Sequence, residues 1–193
     1  MPSASTASAP LAAQQTPAYA SFGRARLADF CENWVVYRNL EPLDKRLHGL
    51  KSAYLDMELR SDLIPRKQDV DYAKAATWFL REMQRIRGVK TPLSELLFLG
   101  DTLFNDSQAF KNIRQFARWQ GSCFICTERS EQPPTLTADD ESVYTANRWS
   151  LLAEWLRQLR DGCFQLDERT AVGIGIDKTA LGAKGRNDKT IDR

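Results

Sequence analysis

Apolar residues recur every three or four positions in three segments of the first half of the chain, which are residues 24–39, 44–59 and 69–87. Pro42 separates the first two segments, and Gly88 ends the third. An aspartate in the N-cap position opens the third segment. The pattern predicts three helices, the first two of which form a helical N-terminal region over residues 23–66.

The hydrophobic pattern changes after residue 90, because residues 96–99 are a short continuous apolar run flanked by turn residues. Such a run is typical of a strand buried on both faces. From there predicted strands at 96–99, 123–126 and 172–176 alternate with predicted helices at 107–119 and 145–160. The alternation predicts an α/β fold with a mostly parallel sheet of at least three strands, in a three-layer helix-sheet-helix arrangement.

Polar stretches delimit this predicted core. The first twenty residues carry no charged side chain and few apolar ones, which predicts a disordered leader over residues 1–22. A cleaved targeting peptide is the alternative, although such peptides are rich in arginine and the first arginine here is Arg24. We expect residues 130–142 to form an exposed loop and residues 181–193 a flexible polar tail, with the core at residues 67–180.

The composition is that of an ordinary soluble domain, with 193 residues, 42% hydrophobic and 27% charged. A net charge of +2 gives no reason to expect nucleic acid or an anionic membrane as a partner. No apolar run approaches the roughly 18 residues of a membrane-spanning helix. Four scattered cysteines do not suggest a disulfide scaffold, so we expect a reducing, cytoplasmic setting.

Two carboxylates follow the first predicted strand. The apolar run ends at Gly100, and Asp101 and Asp106 come directly after it. In parallel α/β sheets the ligand crevice lies beyond the carboxyl ends of the strands. Mg²⁺ suits such a place, because it takes one or two protein carboxylates and completes its shell with water and substrate phosphate. The alternative is structural, with Asp101 in a turn and Asp106 as the cap of the next helix.

The segment Gly100-Asp-Thr-Leu-Phe-Asn-Asp106 resembles the fourth motif of the haloacid dehalogenase-like (HAD) hydrolase superfamily, an apolar strand followed by Gly-Asp and a second Asp. Lys67, which precedes the helix at 69–87, resembles the third-motif lysine of that family. The resemblance covers about residues 67–127. It implies a HAD-like, Rossmann-type sheet, a Mg²⁺ cofactor held by Asp101 and Asp106, and a Lys67 that offsets charge on the transferred phosphoryl group.

A second segment, Val172-Gly-Ile-Gly-Ile-Asp-Lys-Thr179, resembles the first motif of the family, in which an aspartate attacks phosphorus. If Asp177-Lys-Thr179 matches the Asp-Lys-Thr of cation pumps, Asp177 is the nucleophile. If it matches the Asp-x-Asp-x-Thr of phosphatases, Asp177 is the general acid/base and Gly175 stands where the nucleophile belongs. In either frame Thr179 matches a catalytic position and Asp177 also joins the metal ligands.

The order of the motifs differs from that of the family, because here the fourth-like motif precedes the first-like one. A circularly permuted domain, a partial domain followed by the start of another, and a truncated chain are all compatible with this order. For the second motif, a Ser or Thr at the end of a strand, Ser61 and Thr127 are weak candidates.

The resemblance implies a Mg²⁺-dependent phosphohydrolase that acts on a small phosphorylated molecule through an Asp nucleophile. The alternatives are a catalytically inactive HAD-like binding or assembly module, or a fragment of a longer HAD-like protein. Two geometric expectations follow from the phosphohydrolase interpretation. The strands at 96–99 and 172–176 should be parallel neighbours, and the carboxylates of Asp101 and Asp177 should lie within roughly 8 Å of each other.

Other chemistry-bearing residues have simpler explanations. Cys123 and Cys126 have the spacing of a zinc or redox pair but lie in a predicted strand, with no second Cys/His pair nearby. His48 is the single histidine of the chain and has no Ser or Cys motif beside it. We interpret the cysteines as small buried side chains and His48 as a helix residue.

Overall fold

The computed structural model of the protein describes residues 27–129, 131–139, 142–162 and 164–180, so the predicted leader and tail fall outside the described residues. The helices are α1 (Leu27–Cys31), α2 (Leu50–Ala53), α3 (Val70–Ile86), α4 (Leu103–Ala117) and α5 (Leu152–Asp161). The strands are β1 (Glu95–Gly100), β2 (Gln120–Cys126), β3 (Leu136–Ala138), β4 (Val143–Ala146) and β5 (Thr170–Ile174). A 3₁₀ turn at Trp149–Leu151 precedes α5, and a π-helical turn at Ile176–Ala180 follows β5.

Within the described residues, the five strands form one sheet in the order β3-β4-β2-β1-β5. β1 lies between β2 and β5 and is parallel to both, while β4 is parallel to β2. β3 is antiparallel to β4 and lies at an edge of the sheet. The predicted α/β class with a mostly parallel sheet is therefore confirmed.

The pairing of β1 with β5 joins segments that are far apart in the sequence. Leu96 lies opposite Ala171, and Leu99 lies opposite Ile174. The expectation that the strands at 96–99 and 172–176 are parallel neighbours is confirmed, although β5 begins and ends two residues earlier than expected. The amide of Gly175 continues the ladder by donating to the carbonyl oxygen of Leu99 (3.1 Å).

Alternate residues of β1 belong to different core clusters, as the period of two in a strand requires. Leu96 and Phe98 are buried in a cluster that includes Phe110 of α4. Leu97 is buried in another cluster, together with Trp155 of α5. Because both sets are buried, the continuous apolar run that predicted this strand reflects burial on both of its faces.

A third cluster joins the N-terminal region to α3. Leu50 and Met57 are almost completely buried and pack in a group that includes Ala75 and Phe79 of α3. The apolar periodicity of residues 44–59 therefore does identify core positions.

The two long N-terminal helices expected at 24–39 and 44–59 are nevertheless wrong, because the described residues of these segments form only the short helices α1 and α2. Local hydrogen bonds compete with helix formation. The carboxylate of Asp44 accepts bonds from the backbone amide (2.9 Å) and the guanidinium (2.6 Å) of Arg46. Val36 and Pro42 form an isolated antiparallel bridge that turns the chain back on itself.

The region 130–160 also departs from expectation. The expected loop at 130–142 contains β3, and the first residues of the helix expected at 145–160 belong to β4, so that α5 begins only at Leu152. Val143 pairs with Cys123 and Thr145 with Ile125. The β-branched and aromatic residues of β4 suit this pairing, but the strand is too short for its period to be distinguished from that of the following helix.

None of the helices in the described part of the chain is long and apolar enough to cross a membrane.

The indole of Trp155 gives a test of this packing. It is fully buried, and its Nε1–H donates to the hydroxyl of the buried Ser122 at 2.9 Å. Trp155→Phe leaves this hydroxyl without its donor and should lower the free energy of unfolding by about 1–3 kcal/mol, measured by urea denaturation. The control is Trp149→Phe at a half-buried position, which should cost clearly less. Equal losses in the two variants would contradict this account.

Candidate functional site

The carboxyl ends of three parallel strands meet at one edge of the sheet. Asp101 directly follows β1, Thr127 directly follows β2, and Thr179 lies in the π-helical turn after β5. Because β1 is the middle strand of the three, its loop lies between the other two. This edge is where ligands bind in open α/β sheets.

The carboxylate of Asp106 lies at the centre of this edge. Asp106 is only 1% exposed, in the first turn of α4. Its Oδ2 accepts the backbone amides of Asp101 (3.2 Å) and Thr102 (3.0 Å), and its Oδ1 accepts the ammonium of Lys67 (2.8 Å). Both oxygens of a buried carboxylate are thus supplied with donors, and the loop that carries Asp101 is fixed by them.

Gly100 makes the approach of Asp106 possible. A Cβ atom at position 100 would lie 2.5 Å from the Cβ of Asp106 and 2.6 Å from its Oδ2. Atoms cannot come so close, so the backbone of β1 and the carboxylate could not both keep their places with a larger residue. The glycine in the Gly-Asp sequence is therefore required by packing.

Lys67 connects this loop to the segment before α3. Its side chain is 42% exposed, and its ion pair with Asp106 joins residues 39 positions apart. The side-chain amide of Asn112 in α4 also donates to the carbonyl oxygen of Gln68 (2.8 Å). These two contacts hold the entry of α3 against α4, which keeps a positive charge at the sheet edge.

The carboxylate of Asp101 is half-buried and faces two hydroxyl groups. Its Oδ1 accepts a hydrogen bond from the hydroxyl of Thr179 (3.4 Å), and its Oδ2 accepts one from the hydroxyl of Thr102 (3.3 Å). The bond to Thr179 spans 78 positions in the sequence. It brings the two segments that resemble HAD motifs into direct contact.

The structure therefore brings together four of the predicted site residues: Asp101, Asp106, Lys67 and Thr179. Asp177 belongs to the π-helical turn by its backbone, but its side chain lies outside the described part of the structure. The expected separation of the Asp101 and Asp177 carboxylates therefore stays a prediction.

The described side chains contain no group of three or more His, Cys, Asp or Glu residues that could hold a metal ion. The described carboxylate best placed to ligate a cation at this edge is that of Asp101, because both oxygens of Asp106 already accept strong donors. The roles of Asp101, Asp106 and Asp177 as Mg²⁺ ligands stay predictions.

Sequence reasoning missed Thr102 and identified Thr127 only as a weak second-motif candidate. Thr102 contacts the Asp101 carboxylate, and the hydroxyl of Thr127 donates to the backbone carbonyl of Asp101 (3.3 Å). The signal for Thr127 was its position directly after a predicted strand, which made it a weak second-motif candidate. The other candidate, Ser61, is exposed and follows no strand.

The cysteines and the histidine do not contribute to the site. Cys123 and Cys126 are buried, and burial raises the pKa of both thiols, that of Cys126 to about 12. Because the thiolate is the reactive form of cysteine, these raised pKa values agree with the interpretation of both cysteines as small buried side chains. His48 is exposed and precedes α2.

Comparisons with protein-family models, with curated proteins and with solved structures find no match to this chain. The physical geometry of the sheet edge therefore carries the functional argument.

The position of Asp106 can be tested through stability. Asp106→Asn removes the charge that pairs with Lys67 and leaves the amides of Asp101 and Thr102 with a weaker acceptor. The free energy of unfolding should fall by about 2–3 kcal/mol, less than for a fully buried pair because Lys67 is partly exposed. The matched control is Asp101→Asn, which changes a half-buried carboxylate and should cost under about 1 kcal/mol. A smaller loss for Asp106→Asn than for Asp101→Asn would refute this interpretation.

Proposed function

We propose that this protein is a Mg²⁺-dependent HAD-like phosphohydrolase that acts on a small phosphorylated molecule through an aspartate nucleophile. The observation that carries the proposal is the hydrogen bond between Thr179 and the carboxylate of Asp101 (3.4 Å). A permuted site needs the turn after β5 and the loop after β1 to converge at one edge. The contact between these two residues satisfies that requirement.

The electrostatics of the edge also favour a phosphoryl group. The ammonium of Lys67 is partly exposed beside the loop, where it would offset negative charge on a phosphoryl oxygen. α4 begins at Leu103, directly after the loop, so the positive end of its dipole lies at the same edge. Asp106 keeps both features in place through its bonds to Lys67 and to the loop amides.

In this proposal Asp101 and Asp177 would hold the metal, and Asp106 would support it by positioning the loop. The half-buried Asp101 carboxylate fits the preference of Mg²⁺ for one or two protein carboxylates with water in the remaining positions. When bound, the ion would neutralise charge on the phosphoryl group during transfer. Thr179 would orient Asp101 through the hydroxyl that it donates to Oδ1.

We also propose that the sheet and its helices form a three-layer arrangement, with helices on both faces of the sheet. Leu96 and Phe98 share a cluster with α4, whereas Leu97 shares one with α5. Helices that pack on opposite faces of a mostly parallel sheet agree with the three-layer, HAD-like arrangement that the sequence resemblance implies.

The test is hydrolysis of p-nitrophenyl phosphate by the full chain, with and without MgCl₂. We expect turnover that requires Mg²⁺ and that Asp177→Asn abolishes. Asp101→Asn should lower turnover about 10- to 100-fold at limiting Mg²⁺, because one metal ligand loses its charge. Asp161→Asn, on the exposed end of α5, is the control and should leave turnover unchanged. A folded wild-type chain that is inert with Mg²⁺ would refute the phosphohydrolase.

One observation favours the second candidate function, a catalytically inactive HAD-like binding module. A Cβ atom at Gly175 would lie 3.0 Å from the hydroxyl of Thr179, the same hydroxyl that contacts Asp101. A side chain at position 175 would thus be directed toward the Thr179 hydroxyl. This agrees with the frame in which Gly175 occupies the place of the nucleophile, and a glycine cannot form a covalent phosphoryl intermediate.

Gly175→Asp tests this candidate. If position 175 is an empty nucleophile site, the variant should gain Mg²⁺-dependent turnover of p-nitrophenyl phosphate that the wild-type chain lacks. Without Mg²⁺ it should melt at a lower temperature than the wild type, because the new side chain is directed toward the Thr179 hydroxyl that contacts Asp101, which places two carboxylates near each other. Val172→Asp, at an exposed position of β5, is the control and should gain no turnover. A folded Gly175→Asp protein without turnover, or one less active than an active wild type, would contradict the assignment.

A further inference from the structure

We infer that Thr127 is a positioning residue, which fixes the backbone of Asp101 so that its carboxylate is aimed at the metal. The inference rests on the proposed function, because it concerns how that site is held together. The residue lies outside the segments 100–106 and 172–179, and its place directly after β2 made it a weak second-motif candidate. Its contact with the loop after β1 is a hydrogen bond from its hydroxyl to the carbonyl oxygen of Asp101 (3.3 Å).

The peptide unit between Asp101 and Thr102 is held at both ends. Its carbonyl oxygen accepts the hydroxyl of Thr127 (3.3 Å), and its amide donates to Oδ2 of Asp106 (3.0 Å). The amide of Asp101 itself donates to the same carboxylate oxygen (3.2 Å). A peptide plane whose carbonyl and amide are both engaged cannot rotate without breaking a hydrogen bond. The direction of the Asp101 side chain is therefore set by its own backbone.

The two supports come from different elements. Asp106 belongs to α4, whereas Thr127 follows β2 and is tied to β4 by the bond from its backbone amide to the carbonyl of Ala146 (3.0 Å). Because β2 is the parallel neighbour of β1, the carboxyl ends of both strands lie at the same edge of the sheet. The register of this pair therefore places the Thr127 hydroxyl beside the loop after β1. The loop is therefore braced between a helix and a neighbouring strand.

Thr127 is exposed, so it contributes little to the core. A single hydrogen bond at an exposed position contributes little to the stability of the fold. Loss of the hydroxyl should therefore leave the fold intact and change the position of Asp101. The effect should be seen in metal affinity rather than in stability, which separates a positioning role from a structural one.

The experiment compares Thr127→Val, which removes the hydroxyl at nearly constant shape, with Thr127→Ser, which keeps it. Mg²⁺ affinity of the full chain is measured by isothermal titration calorimetry. Thr127→Val should weaken Mg²⁺ binding about tenfold, the lower end of the range for changes of supporting residues around metal ligands. Thr127→Ser should stay within about twofold of the wild type. Amide exchange at Thr102, followed by NMR, should be faster in Thr127→Val alone.

The control is Thr137→Val on β3, which removes a hydroxyl in contact with Thr145 (3.2 Å) on an edge strand away from the loop, and it should change neither readout. A wild-type chain that binds Mg²⁺ and a Thr127→Val variant with the same affinity would overturn this inference and leave the proposed function standing. Equal losses in the Val and Ser variants would also overturn it. A folded wild-type chain that binds no Mg²⁺ would overturn the proposed function, and the inference with it.

Discussion

A carboxylate buried at the first turn of a helix must find donors for both of its oxygens, because an uncompensated buried charge is strongly destabilising. Asp106 finds them in Lys67 and in the amides of the Asp101-Thr102 loop. One side chain thereby joins the start of α4, the loop after β1 and the segment before α3. The close approach also requires the absence of a side chain at Gly100. The position of the loop after β1, which carries Asp101, depends on this one buried group.

The sheet topology, and not Asp106, brings the turn after β5 to the loop after β1. β5 pairs with β1 after the chain has passed through β2, β3, β4 and α5. The parallel register places Gly175 beside the end of β1, where its amide donates to the carbonyl of Leu99. From there the π-helical turn brings the hydroxyl of Thr179 to Asp101. The order of the motifs along the chain is therefore compatible with a shared site.

Much of the core could be predicted from the sequence, because each of its elements carries its own signal. The 3.6-residue period of α3 extends over 17 residues, and β1 contains the continuous apolar run of residues 96–99. The failures lie where local signals are weak or compete. Asp44 turns its carboxylate to Arg46 and so interrupts a helical pattern, while β3 and β4, with three and four residues, are too short to show a period.

The sequence by itself determined the apolar patterns of α3 and β1, where a strand ends in Gly-Asp, and which acids and hydroxyls are available. The tertiary structure alone decided which groups these acids and hydroxyls contact. The contacts of Lys67 with Asp106, of Thr179 with Asp101, and of Thr127 with the Asp101 carbonyl span 39, 78 and 26 positions. Contacts at such separations depend on strand order and register, which periodicity within one element does not specify.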